Sequence, residues 1–229
     1  IVVVNKPYGL IIHPKNISDT QPSLCDWVNL NYPELKNVGE PFSASGAPIP
    51  RCGIVHRLDK ETSGLVIIAK NDQSFAYFKN LFQERKIKKT YLTLVHGKLK
   101  QVKGIIDLPL GRLGMKRTTK TTGKKLIDQK EALTEYRVLK TFGQFSLLEV
   151  SPKTGRTHQI RVHLQSIGHP VVCDPIYGSR RSICPPELGR LYLHAQKLEF
   201  KNIDGQNMVL EADPPEELTN FLKSSNITQ

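Results

Sequence analysis

No stretch of this 229-residue chain approaches the ~20 consecutive apolar residues that a membrane-crossing helix needs. No leader-type segment is legible, and Ile1–Val4 already reads as strand, so the chain is expected to begin inside its fold with whatever precedes it missing. There is no Gly-x-Gly-x-x-Gly run after a strand, no phosphate-binding P-loop and no standard metal-ligand set, so the usual carriers of nucleotide-cofactor and metal chemistry are lacking. The four cysteines, Cys25, Cys52, Cys173 and Cys184, are scattered without a Cys-x-x-Cys pair and read as reduced thiols of a cytosolic-type compartment. Zinc sites drawn from Cys52 and His56, or from His169 and Cys173, would match no standard spacing.

Acid is the scarce charge. Lys and Arg number 33 against 21 Asp and Glu, a net +12 with a pI near 9.6. Such an excess suits a polyanion; RNA, DNA and an anionic membrane all answer to it, and so does a merely basic surface. Hydrophobic content of 38% and charged content of 24% are ordinary for a globular protein, and the length reads as one large domain over residues 1–229.

Ile1–Val4 and Leu10–Ile12 read as strand material around a turn at Asn5–Gly9. Ser23 is placed to cap a short helix through Trp27 and Leu30 that ends before Pro33. Residues 37–53, rich in Gly, Pro and Ser, read as a loop. Leu65–Ala69 reads as a buried strand, followed by a helix capped by Asn71 with Phe75, Phe78, Leu81 and Phe82 on one face. Thr90–Val95, Ala132–Leu139, Phe145–Val150, Leu191–Phe200 and Met208–Glu211 read as further strands. Thr157 is placed to cap a helix to Ile167, closed by Gly168, and a last helix covers Pro215–Leu222. Hairpin-like neighbours among the strands predict an α+β fold with a mixed, largely antiparallel β-sheet core and flanking helices and loops.

Four segments carry candidate chemistry. Gly53–Gly64 places a lone Asp, Asp59, among His56, Arg57, Lys60 and hydroxyls directly before a buried strand, where catalytic groups concentrate. Asp59 reads either as a nucleophile or base kept ionised by a nearby Arg, or as a turn-capping Asp paired with Arg57. Ser151–Leu164 turns from strand to helix, with Arg156 beside backbone N–H groups that favour an anion. There His158 and His163 lie about 140° apart round the helix, so they are read as hydrogen-bonding rather than metal-binding. Lys88–Tyr91 puts a tyrosine face at a strand end, and a base could stack on it. Residues 112–130 gather Arg112, Lys116, Arg117, Lys120, Lys124, Lys125 and Lys130 in a basic hairpin suited to phosphates.

Taken in order, His56–Gly64, Lys89-Thr90-Tyr91 and Gly155–His163 resemble the RluA family of pseudouridine synthases. So do Asn5-Lys6-Pro7, His169-Pro170, Asp174 with Tyr177-Gly178, and Leu193-His194-Ala195. The resemblance covers nearly the whole chain and implies the pseudouridine synthase catalytic fold. It implies Asp59 as the catalytic carboxylate, Arg161 as its charge partner and Tyr91 as a base-stacking, proton-handling group. Ile160 would pack on the base and Arg57 would fill the gap left by a flipped uridine. Arg156, His56, Lys116, Arg117, Lys120 and Lys124 would hold the RNA. The implied partner is structured RNA, ribosomal or transfer, in the cytoplasm, with no cofactor, metal, membrane or obligatory protein partner. Cys52 stands where the family often has Pro, Cys173 where Gly usually precedes the Asp, and an S4-type RNA-binding appendage is not expected within residues 1–229. A metal-dependent nuclease built on Asp59 and Glu61, and an inactive RNA-binding module, are the competing classes.

Overall fold

In the computed structural model, which describes residues 1–16, 18–43, 48–114, 116–119, 126–179 and 183–224, the first strand shows why it forms. Along Val2–Lys6 (β1) exposure alternates residue by residue, the pattern of a strand with one covered face. Leu24–Asn31 (α1) starts at Ser23 in a reciprocal capping box with Asp26, and a 3-10 turn follows at Pro33–Leu35. Phe42–Ser43 (β2) and Pro48–Ile49 (β3) pair inside the segment expected to be a loop. All six residues of Ser63–Ile68 (β4) are buried, as a continuous apolar run requires, and β4 lies antiparallel to β1. Asp72–Gln83 (α2) begins at Asn71, boxed with Ser74.

These elements belong to the first of two compact units, Ile1–Lys88 with Lys197–Ala212. Its core joins Leu65 and Ile67 of β4 to Phe78 and Leu81 of α2, and to Leu198 and Phe200 from much later in the chain. The turn after β1 depends on a buried cation. Lys6 is fully enclosed, and its ammonium donates to the carbonyls of Pro7 and Leu10 at 2.8 Å and of Lys60 at 3.3 Å. The Gly9 amide reaches the same Lys60 carbonyl at 2.9 Å, from a φ of 85° that favours glycine. The N-terminal turn is thereby fastened to the residue following Asp59.

The second unit is Lys89–Gln196 with Asp213–Gln229. The chain runs through Lys88–His96 (β5), Lys103–Asp107 (β6), Leu110–Leu113 (β7), Lys116–Thr118 (β8), Ile127–Lys130 (β9), Leu133–Phe142 (β10) and Phe145–Pro152 (β11). Gln159–Ser166 (α3), Leu193–Lys201 (β12), Asn207–Glu211 (β13) and Glu216–Ser224 (α4) complete it, with the end of β12 and all of β13 returning to the first unit. Strands β5, β11, β10 and β6 are neighbours in that order, each pairing antiparallel, while β7 pairs separately with β8 and β9. Ile160 and Leu164 of α3 pack on Val95, Leu148, Val150 and Leu193. A second cluster gathers Leu92, Leu94 and Tyr192 with Leu218 and Phe221 of α4. No helix among the described residues is long and apolar enough to cross a membrane.

A polar chain fastens α3 to β10. The Thr154 hydroxyl donates to Gln159 Oε1 at 2.6 Å, and Gln159 Nε2 donates to Thr134 Oγ1 at 3.0 Å. Thr134 Oγ1 lies 2.8 Å from His163 Nδ1, and His163 Nε2 lies 2.9 Å from the Leu108 carbonyl. A carbonyl only accepts, so Nε2 carries a proton and donates it there.

The α+β class and the strand-rich core are as expected from the sequence. Several local expectations need correction. Leu10–Ile12 is not a strand: Ile11 makes a single parallel bridge to Ser23. The strands β6, β7, β8 and β9 were not individually legible, since only Ile106, Leu110 and Gly111 are buried along them. The cysteines are not free thiols; Cys25 pairs with Cys52 and Cys173 with Cys184. Cys173 has a φ of 58°, the region glycine favours.

Two stability outcomes follow. Replacing Lys6 by Met leaves carbonyls facing a buried methyl, which costs about 2–3 kcal/mol and lowers the Tm by roughly 5–10 °C at this chain length. Calorimetry of Lys6→Met with an unchanged Tm would refute the role given to this ammonium. The second concerns pH. Burial first, then the charges of Arg51 and Arg57, push the His13 ring down to about 4, with the Arg51 carbonyl opposing. Burial also lowers His96 and His163, the latter opposed by the Leu108 carbonyl and Asp107. All three rings therefore hold a proton less readily when folded than when unfolded, where they take one up below about 6.5. Their contribution is full above that pH and is lost as pH falls toward the folded values. Urea midpoints should drop between pH 7 and 5, with His13 alone accounting for about 1–2 kcal/mol. A His13→Gln variant with an equally steep decline would show the loss to lie elsewhere.

Candidate active site

The segment leading to Asp59 is irregular backbone held by the strand beside it. Ile54 bridges to Ile68, and the Ala69 amide donates to the Gly53 carbonyl at 2.8 Å. Gly53 has a φ of 70°, and a Cβ there would sit 2.2 Å from the Ala69 carbonyl oxygen, so only glycine lets the two chains approach this closely. His56 Nε2 accepts the Ile67 amide at 2.9 Å while its ring stacks on Phe82 at 4.3 Å, so the histidine pins the segment to β4 and α2. Leu58 is buried, Arg57 is exposed and Asp59 is half-buried. Beyond Asp59 the chain closes a turn, with the Thr62 amide on the Asp59 carbonyl at 3.0 Å and Lys6 on the Lys60 carbonyl. The carboxylate thus rides on a loop clamped at both ends.

Arg57 makes no hydrogen bond or ion pair among the described residues, which disposes of the alternative in which it merely pairs with Asp59. It stands as an exposed cation two residues before a half-buried carboxylate, and its charge is felt at His13.

The second unit holds the other predicted groups. Helix α3 does not start at Thr157 as expected. Its N-cap is His158, which has a left-handed φ of 57° and gives no side-chain cap. The His158 ring turns away and its Nδ1 meets the Tyr177 hydroxyl at 2.8 Å. Closure is as predicted: Gly168 has a φ of 87°, and the Gly168 and His169 amides return to the carbonyls of Gln165 and Leu164.

Arg161 is fully buried and meets Asp174, also fully buried, through two parallel bonds of 2.8 Å, Nε to Oδ2 and a terminal nitrogen to Oδ1. Asp174 Oδ1 also accepts the amides of Ile176 and Tyr177 at 2.9 Å. Burial pushes the Asp174 carboxyl up, but the Arg161 bonds and charge and the two amides more than offset it, leaving it below the ordinary range. The Arg161 guanidinium stands 5.3 Å from the centre of the Tyr177 ring.

Ile160 lies in the core with half-buried Tyr91 packed against the same cluster, so the structure brings these two predicted residues together. Arg156 Nε donates to the Glu131 carbonyl at 3.1 Å and its amide to Gln159 Oε1 at 3.0 Å, so both are engaged within the fold. Of the basic hairpin, β7–β9 carry Arg112, Lys116, Arg117 and Lys130, whereas Lys120, Lys124 and Lys125 lie outside the described residues. Lys116 Nζ reaches the Ile176 carbonyl at 3.4 Å and the Arg117 amide reaches the Tyr177 hydroxyl at 3.3 Å.

Sequence reasoning noted Asp174 and Tyr177 only as part of a resemblance and gave them no role. A signal was present: an Asp whose carboxylate takes the amides two and three residues on makes an Asx-type turn, and Asp-Pro-Ile-Tyr is such a stretch. Nothing local, however, announces a partner 13 residues upstream on a helix.

Comparison with known proteins agrees with these motifs. A model of the RNA pseudouridylate synthase family matches residues 1–166. The ribosomal large subunit pseudouridine synthase D of Nitrosomonas europaea is 38% identical over 231 residues, covering 98% of this chain and 62% of that protein. An uncharacterised RNA pseudouridine synthase of Aquifex aeolicus is 42% identical over 224 residues, covering 94% of this chain and 67% of that protein. The chain thus spans about six tenths to two thirds of the length of these relatives. Among solved structures, the human RNA Pseudouridylate Synthase Domain Containing 4 matches in fold with a TM-score of 0.76 at 24% identity, over 98% of this chain and 89% of that one. A family model spanning residues 1–166, together with relatives similar along almost the whole chain, shows that it belongs to the RNA pseudouridylate synthases, in the RluA family.

Proposed function

We propose that this chain isomerises uridine to pseudouridine in RNA, with residues 1–229 as the catalytic domain and Asp59 as the catalytic carboxylate. The observation that carries the reading is the clamped loop: Asp59 is half-buried, Lys6 holds the Lys60 carbonyl and the Thr62 amide holds the Asp59 backbone carbonyl, with an exposed arginine two residues before the carboxylate. The reaction breaks the bond from N1 of uracil to C1′ of the ribose, rotates the base and joins C5 to C1′. C5 loses a proton and N1 gains one, so atoms and electrons balance within the nucleotide and no cofactor is consumed. Asp59 either attacks C1′ or removes a sugar proton to give a glycal. Arg161 keeps Asp59 ionised, Tyr91 stacks on the uracil and assists loss of the C5 proton, and Ile160 packs against the base.

Arg57 fills the space vacated by the flipped uridine. Extrusion of a base costs a few kcal/mol, and a side chain that replaces the lost stacking offsets part of it. An exposed guanidinium suits that task, because among the described residues no hydrogen bond or ion pair holds it back. The net charge of +12 and the basic strands β7–β9 support binding through phosphates and shape. The N. europaea relative is named for the large ribosomal subunit, which favours ribosomal over transfer RNA as the substrate.

Asp59→Asn retains the shape and removes the charge, so pseudouridine formation should fall by about 1,000-fold or more while RNA affinity changes by less than about threefold. Mass spectrometry of the treated RNA decides it; substantial product from this variant ends the assignment. Arg57→Ala should lose roughly tenfold or more on a stacked uridine and much less on an unstructured strand. Equal losses on the two substrates would contradict the plug.

A further inference from the structure

Tyr177 is 7% exposed and is reached from three sides, all within the second unit. On the hairpin side it packs with Leu110 of β7 and its hydroxyl accepts the Arg117 amide of β8 at 3.3 Å. On the helix side it packs with Val162, and its hydroxyl lies 2.8 Å from His158 Nδ1. On the third side its ring lies 5.3 Å from the Arg161 guanidinium, and its own amide donates to Asp174, the carboxylate that grips Arg161. A phenol has one proton to give. The Arg117 amide can only donate, so the hydroxyl accepts there and is free to donate to His158 Nδ1. Losing the hydroxyl therefore removes both bonds and leaves the left-handed backbone of His158 without this tether.

We propose that Tyr177 is a positioning residue through which RNA seated on β7–β9 holds Arg161 in its working orientation. Strand β8 is fastened to the turn at residues 174–177 at two successive residues: Lys116 Nζ to the Ile176 carbonyl, and the Arg117 amide to Tyr177. Phosphates gathered by Arg112, Lys116 and Arg117 bear on that strand. Its position reaches Arg161 through the aromatic ring on one face and through the Asp174 carboxylate on the other. Packing alone would need only the ring, which phenylalanine supplies. The two hydrogen bonds of the hydroxyl make the link directional.

The inference rests on the reading of Asp59 and Arg161 as the reacting pair, and the experiment separates the two. Single-turnover rates and affinities are measured on a structured ribosomal RNA fragment for wild type, Tyr177→Phe, a hairpin variant with Arg112→Gln and Lys116→Gln, and the combination. Tyr177→Phe should bind RNA within about threefold of wild type and react about tenfold more slowly at saturation, as loss of hydrogen bonds to a positioning group implies. The hairpin variant should bind more weakly with a shallower salt dependence, by roughly 0.7–0.9 in log–log slope per lost phosphate contact. It should also react more slowly at saturation, and the combination should be no slower than the slower single variant. An unchanged rate for Tyr177→Phe, or a combination equal to the product of the two losses, overturns the coupling. So does a hairpin variant with wild-type affinity and slope, because no RNA then loads β8.

A second measurement does not depend on how Tyr177→Phe folds. The Arg161 Nε–H resonance of Asp59→Asn protein should shift when RNA binds, and shift much less when the hairpin is also replaced; an unmoved resonance overturns the link. If wild type forms no pseudouridine, the proposed function fails, while the resonance still reports whether RNA on the hairpin reaches Arg161.

Discussion

The bidentate pair between Arg161 and Asp174 is the constraint around which the second unit is arranged. Both side chains are fully buried, and a buried ion pair is a poor way to gain stability. Desolvation of the two charges roughly cancels their attraction, and an apolar replacement of similar volume often serves as well or better. Losing one partner alone is another matter, since it strands a charge in the interior at a cost of about 3–5 kcal/mol. A guanidinium placed there and satisfied at such effort is better explained by a use for its charge than by its contribution to folding. Asp174 does not meet that charge alone. Two backbone amides share its Oδ1, so the carboxylate is fixed in direction as well as in ionisation.

The first unit also encloses a cation, with different acceptors. There the buried group is an ammonium that donates to three carbonyl oxygens. The result is a carboxylate whose backbone is held by His56 before it and by a turn and a lysine after it, with an exposed arginine at its shoulder.

Much of this was legible in the residues. Ser23 with Asp26 and Asn71 with Ser74 are short-range pairs, and both helices start where those pairs place them. The run Leu65–Ile68 could hardly be anything but a covered strand. The start of α3 misled, because Thr157 has the right chemistry for a cap, whereas the real boundary is set by His158 and a tyrosine 19 residues away. Strand β6 escaped because it is a sheet edge with one buried residue among five, too little for alternation to show. The Asp59 segment declared itself through its density of charged and hydroxylic residues. The partners of Arg161 did not, because contacts made across a fold leave no periodicity behind. The cysteine pairings were hidden likewise, with partners 27 and 11 positions apart.

Strand β12 starts in the second unit and ends in the first, and this has a consequence for how the protein is made. Phe78 meets Phe200 edge-on at 5.2 Å, and the Tyr77 hydroxyl donates to the carbonyls of Lys201 and Asn202, more than 120 residues further along the chain. A ribosome releasing residues 1–88 has therefore delivered most of the first unit without the pieces that finish its core. The loop bearing Asp59 must wait, partly formed and with apolar surface showing, while the intervening hundred or so residues emerge. Contacts of such sequence separation form slowly and expose intermediates to aggregation. The second unit is drawn mostly from one continuous stretch, but it too waits for its last piece, since Leu218 and Phe221 of α4 complete a core begun at Leu92 and Leu94.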